Sequence, residues 1–256
     1  MMRGTWIICR KELNSYFASP IAYSVMALFA FIFGFFFYEA TTYFMQVSME
    51  SQMRGGGFPM NLNEMIIRPV FGNMSVIALF LLPMLAMRIF SEEKRSGTME
   101  LLITSPVSDA AIVIGKWLAA WILYTSIVLV GALSILFLFL YGKPDWKPVL
   151  IGLLGLILQG AALLALGAWL SSMTKNQIVA GVAGFVLFLF LWVVGWGSEF
   201  DTTWWGQFRG YLSATSHVET FSKGIIDLKD VVYYLSLIFL GLFLSTRSLE
   251  SLRWRS

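Results

Sequence analysis

Glu92 to Lys116 reads EEKRSGTMELLITSPVSDAAIVIGK, and its setting decides the fold. It is the long charged segment set between two strongly apolar ones, residues 70–90 and 117–141. Each flank has the roughly 20 apolar residues that an α-helix needs to cross about 30 Å of hydrocarbon. With both flanks in a bilayer, the segment between them becomes the one sizeable polar surface the chain offers to a soluble partner.

Composition supports the bilayer. Of 256 residues, 58% are hydrophobic, 16% aromatic and only 13% charged, against about 25% charged in ordinary globular domains. A soluble domain this apolar has too little polar surface to face water. The net charge of +3 is modest. Lys and Arg are scattered over short loops, which argues against nucleic acid as a partner. The single cysteine, Cys9, excludes an intramolecular disulfide and a Cys-based metal site. Arg10, Lys11 and Glu12 interrupt any early apolar run, so no signal peptide is expected.

Outward from the charged segment, the expected fold is all-α and polytopic, with six membrane spans at 21–42, 70–90, 117–141, 149–170, 178–197 and 231–246. Residues 3–18 read as an amphipathic interfacial helix, with Trp6, Cys9, Leu13, Tyr16 and Phe17 on one side, and Pro20 marks a break before the bilayer. Residues 43–69, with Gly55, Gly56, Gly57 and Pro59, and residues 198–230 read as polar loops. Pro83 is expected to kink the second span. Eleven Lys and Arg flank the spans on one side and seven on the other, which places both termini and the 92–116 segment in the cytoplasm. Trp192, Trp196, Trp204 and Trp205 then gather at the outer interface.

Inside the segment, Gly97 breaks the helix that continues from the second span. Thr98 is positioned to cap a short helix, Met99 to Thr104, with Glu100 near its positive end, and Pro106 ends it. Ser108 is a plausible cap for the helix that runs into the third span. Met99, Leu101 and Leu102 either insert into a groove of another protein or pack back on the bundle.

The string Glu-x-x-x-Ser-Gly-Thr-x-Glu-Leu-Leu, then Pro106-Val107 and Ile114-Gly115-Lys116, resembles the ABC-2 type permease family. Phe221-Ser-Lys-Gly-Ile-Ile-Asp-Leu-Lys-Asp before the last span, and Leu249-Glu-Ser-Leu-Arg-Trp after it, resemble the gliding-motility (GldF-like) and NosY-like branch. The resemblance covers nearly the whole chain. It implies a type V exporter-like architecture in the bacterial cytoplasmic membrane. It also implies two six-span permeases side by side, the second identical or related (GldG-like), over two ABC ATP-binding subunits. It implies that Glu92 to Pro106 form the coupling helix, with Glu92, Glu93, Gly97, Thr98, Met99, Glu100, Leu101, Leu102 and Pro106 at the ATPase interface. It also implies that 3–18 is the family's interfacial helix, and that export is the direction of transport. The alternative function is a non-transporting scaffold that relays ATPase motion to envelope or motility proteins.

The chain has no G-x-x-x-x-G-K-[ST]: Gly115-Lys116 precedes Trp117 and a span, so ATP and Mg are expected on a partner chain and no cofactor here. No H-E-x-x-H, G-x-S-x-G or His cluster appears, and no enzyme activity is expected. His217, the sole histidine, is either a substrate or proton contact or an ordinary interfacial side chain. Glu199, Asp201, Asp227 and Asp230 share its loop and either bind a cation or are solvated. Gln159 is the most interior strongly polar residue, either glue between helices or part of a translocation path. Gly152, Gly155, Gly160, Gly167, Gly181 and Gly184 permit close helix contacts.

Overall fold

The computed structural model describes residues 2–53, 61–104, 106–142, 144–198, 201 and 203–253. Among them there is no strand. The helices, in chain order, are α1 (Met2–Ala18), α2 (Pro20–Met53), α3 (Arg68–Ala86), α4 (Arg88–Ser96), α5 (Met99–Ile103) and α6 (Asp109–Ala132). They continue with α7 (Leu136–Tyr141), α8 (Trp146–Met173), α9 (Gln177–Val193), α10 (Trp204–Leu212), α11 (Ala214–Ser222) and α12 (Leu228–Arg253).

Five helical stretches are long and apolar enough to cross a membrane: Pro20–Met53, Asn63–Ser96, Asp109–Tyr141, Trp146–Met173 and Leu228–Ser251. The protein is a multi-pass membrane protein. The remaining expected span, 178–197, corresponds to α9, which is apolar but only 17 residues long. Rows of exposed Phe, Leu and Val on α2, α9 and α12 have no water-soluble rationale and match lipid contact.

α8 is the centre of the bundle. Glycines on it let neighbours approach where a Cβ would stand: a Cβ at Gly160 would lie 1.9 Å from the Tyr124 ring, and one at Gly167 2.3 Å from Ala86. Without a hydrophobic force between helices in lipid, such close contact supplies the van der Waals attraction. On α6, Trp117, Trp121 and Tyr124 fall at i, i+4 and i+7 and form a ladder of donors to α8. Trp117 Nε1 reaches Ala161 O at 2.9 Å, Trp121 Nε1 reaches Ile157 O at 3.0 Å, and the Tyr124 hydroxyl reaches Leu156 O at 3.3 Å. The ring ends that would otherwise be unpaired in hydrocarbon are thereby satisfied.

The second span is interrupted at Met87, one turn after Pro83, and α4 starts afresh at Arg88. An interruption frees backbone groups, which need new partners. Ser171 on α8 supplies them: its Oγ accepts from the N–H of Phe90 and of Ser91, both at 3.1 Å, and donates to Met87 O at 3.0 Å.

Three expectations change. Residues 43–69 are not simply a loop: α2 runs on to Met53, and a single π turn, Asn63–Ile67, leads into α3. The run Phe44 to Met53 has no Gly or Pro, so nothing stops the helix there. Gly55, Gly56, Gly57 and Pro59 lie outside the described residues. Residues 198–230 hold two helices, of which α11 packs against α8 and α3, with Phe221 seated over Gly155. Finally, Trp6 does not share a face with Cys9. Ile8 and Cys9 are buried, Ile8 against Gly115 of α6, whereas Trp6 and Ile7 are exposed. α1 therefore has one apolar face for the bundle and another that is open.

Candidate functional site

The charged segment folds as a helical hairpin at the end of the second span. α4 ends at Gly97, whose φ of 73° is left-handed and suits glycine. α5 follows within two residues. Thr98 does not cap it: its hydroxyl lies 2.8 Å from Ser96 Oγ, and no side-chain cap bond forms. Ser108 likewise makes no side-chain cap bond, although its carbonyl accepts from Ala111 and Ile112.

Of the residues expected at the site, Glu92, Gly97, Thr98, Glu100, Leu101 and Pro106 are exposed, while Glu93 and Leu102 are half-buried. Met99 is 4% exposed and pins α5 to the bundle; Leu101, two residues on, is 74% exposed. The hairpin thus presents an apolar side chain beside Glu100 on a surface otherwise rich in charge.

The root of the hairpin is a buried ion cluster. Lys116, 3% exposed, is not a surface cation, as the orientation count assumed. From Asp109 on, the chain is already α6, and Lys116 points into the bundle. Its ammonium lies 2.7 Å from Glu93 Oε1 and 3.0 Å from Glu12 Oε1, and 5.8 Å from the centre of the Phe90 ring. A buried ammonium persists only when paired and hydrogen-bonded. Lys11 joins at the rim, 3.4 Å from Glu12 and 3.8 Å from Glu93. One lysine therefore fastens α1, α4 and α6 together. A second tether runs from α4 to the end of α8, where Lys94 donates to the carbonyl of Ser172. The sequence carried a signal for the cluster: a lysine inside the apolar run from Ala110 to Trp121 demands a counter-charge. It did not say that the counter-charge comes from Glu12.

Gln159 sits apart from the hairpin. It is fully buried, and its amide nitrogen donates to Ser75 O at 3.4 Å, bridging α8 to α3.

A second buried cluster involves His217, which is 4% exposed and so is neither an open contact nor an interfacial side chain. Its Nδ1 lies 2.6 Å from Asp230 Oδ1, its Nε2 is 2.9 Å from Tyr211 O, and its ring stacks on Tyr233 at 4.0 Å. A carbonyl only accepts, so Nε2 carries a hydrogen. One further proton lies between Nδ1 and Oδ1, and the pair as a whole is neutral. Tyr233 and Tyr234 donate to Leu212 O and Ala214 O at 2.8 and 2.6 Å. α10, α11 and α12 are joined by these bonds. The other acids of this region do not converge. Asp201 takes hydrogen bonds from the hydroxyl and N–H of Thr203, which hold its carboxyl below the usual range, and pairs with Arg209. Asp227 pairs with Lys229, and Glu199 lies outside the described residues. Among the described residues no group of three His, Cys, Asp or Glu side chains could hold a metal ion.

A family model described as ABC-2 family transporter protein matches residues 6–239. No curated protein matches the chain.

Proposed function

Because the chain belongs to the ABC-2 family of transporter proteins, and is thus a permease subunit that works with an ATP-binding partner, we propose that the α4–α5 hairpin is where that partner docks. The observation that carries this is the contrast between Met99 and Leu101: the short helix is anchored by one apolar side chain and offers the next, 74% exposed, to a groove. Gly97 and Thr98 form the turn, Glu92, Glu100 and Pro106 flank the contact, and Glu93 and Leu102 hold the hairpin to the bundle. ATP and Mg belong to the partner. ATP-driven closure of two such partners presses on α5, and the Lys116 cluster and Ser171 pass the displacement to α1, α6 and α8 together. α9 serves as the sixth span. Both termini and the hairpin then face the cytoplasm of a bacterial inner membrane, a second permease completes the path, and export is the direction. Gln159 meets cargo only when the α3–α8 contact opens.

Leu101→Arg is expected to weaken co-purification of the ATP-binding subunit about tenfold, as loss of an apolar anchor does at an interface. ATP turnover by the complex falls with it. Assembly and turnover at the level of the unmodified protein would remove the hairpin from the interface.

A second reading, relay of force to an envelope or motility partner, is favoured by α2. Its 34 residues span about 51 Å at 1.5 Å per residue, well beyond about 30 Å of hydrocarbon. Tyr43, Met45, Met49 and Met53 are exposed on the excess length. A photocrosslinker at Met49 in intact cells is expected to capture a protein of the outer compartment; capture of lipid alone would sink this reading.

A further inference from the structure

Between α1, α2, α3, α4 and α6 lies a cavity of about 390 Å³. Its inner part is lined by Val25, Leu81, Leu85, Leu123 and Ile127, all apolar. Its mouth carries Lys11, Glu12, Arg88, Glu92, Glu93 and Lys116. Ile127 stands eleven residues beyond Lys116 on α6, about 16 Å at 1.5 Å per residue. That depth matches one leaflet, half of about 30 Å of hydrocarbon. α2, on which only Ala22, Phe29 and Phe33 are buried, is the wall between this space and the surrounding lipid. A cavity charged at one end and apolar for the depth of a leaflet fits a molecule with a polar head and an alkyl tail.

The mouth also selects the head. Lys116 is already held by Glu12 and Glu93. Arg88 and Glu92, one helical turn apart, form no salt bridge among the described residues, and Oε2 of Glu93 is buried without a hydrogen-bond partner. A free guanidinium suits a phosphate, which it binds through two parallel hydrogen bonds. Free carboxylate oxygens suit a cation that donates hydrogen bonds. A primary ammonium does so three ways; a quaternary ammonium has no N–H to give, and a headgroup with phosphate alone leaves Glu92 and Glu93 facing it. We propose that this cavity binds one phospholipid of the phosphatidylethanolamine type. Its phosphate lies on Arg88, its amine on Glu92 and Glu93, and one acyl tail reaches Leu81 and Ile127. The bound lipid braces α4 against α2, so the headgroup composition of one leaflet sets how firmly the hairpin is held. The proposal rests on the chain being a membrane protein and is independent of what docks on α5.

The test is native mass spectrometry of the full chain in mild detergent after delipidation. The probes are dioleoyl phosphatidylethanolamine, phosphatidylcholine and phosphatidylglycerol, added one at a time. One phosphatidylethanolamine is expected to be retained about tenfold more than either other lipid, given the strength of charge-assisted hydrogen bonds. Glu92→Gln is expected to remove that preference, Arg88→Gln to weaken retention of all three through the phosphate they share, and Leu85→Trp, which fills the tail space, to remove retention of all three. Should Glu92→Gln fail to purify, Glu92→Asp, which draws the carboxylate back by one methylene, tests the same preference. Equal retention of the three lipids, a preference for phosphatidylglycerol, or retention unchanged by Leu85→Trp would each overturn the proposal. So would a lipid-free dimer disrupted by Leu85→Trp, which would mean that a second copy fills the space.

Discussion

Lys116→Met is expected to destabilise the purified chain by about 3–5 kcal/mol, the range seen when one partner of a buried ion pair is removed. Methionine keeps most of the volume but none of the charge. Glu12 and Glu93, whose side chains are 14% and 15% exposed, are left facing the same space. Lys11 remains within reach of both, but it is 65% exposed and spends its charge largely on water. The triple variant Lys116→Met, Glu12→Gln and Glu93→Gln removes every charge of the pairing and is expected to recover most of the loss, since replacing a whole buried cluster by neutral groups is often close to neutral. Thermal unfolding of the three proteins in one detergent checks this. A single variant that unfolds at the parent's temperature would show that the lysine is not what fastens the three helices.

His217→Phe is expected to cost a similar amount, about 3–5 kcal/mol, by the same physics on the other cluster. Phenylalanine can keep the stack on Tyr233 but donates no hydrogen bond. Asp230 is 1% exposed, and its Oδ2 is already without a partner; losing His217 orphans Oδ1 as well. The carboxyl must then bury its charge or take up a proton. The double variant His217→Phe, Asp230→Leu is expected to recover more than half of the stability, falling short because Tyr211 O has also lost its donor. The readout is the unfolding midpoint together with protease resistance of residues 204–222. If the single variant keeps both, the pair does not hold α11 in place.

Periodicity and hydropathy located the long apolar helices and the break at Gly97, because those depend on residues close together in sequence. Contacts between distant segments were hidden. Lys116 looked like a flanking surface cation because Glu12, one of its partners, lies far away along the chain and nothing local shows α6 folding back on Glu93. His217 made α11 look polar, yet Val218 and Phe221 on the same face are buried beside it; the histidine could be buried only because Asp230 met it. The reach of α2 to Met53 was missed because Ser48, Glu50, Ser51 and Gln52 read as a loop once the hydropathy fell, although polarity alone does not end a helix. Thr98 and Ser108 carried the right residue types for caps, but hydroxyl geometry decided otherwise.

The Lys116 cluster has a consequence for how the chain is made. Its members leave the ribosome in the order Glu12, Glu93, Lys116. α2 and α3 lie between the first two, so Glu12 and Glu93 share a side of the membrane only after an even number of crossings. If α2 failed to insert, Glu93 would emerge opposite Glu12. Lys116, arriving last and too near Glu93 in sequence to be parted from it, would then find one carboxylate instead of two. The cluster is therefore a parity check on topology: it does not close when one of the two crossings is lost, and such a chain keeps an under-neutralised lysine at the head of α6.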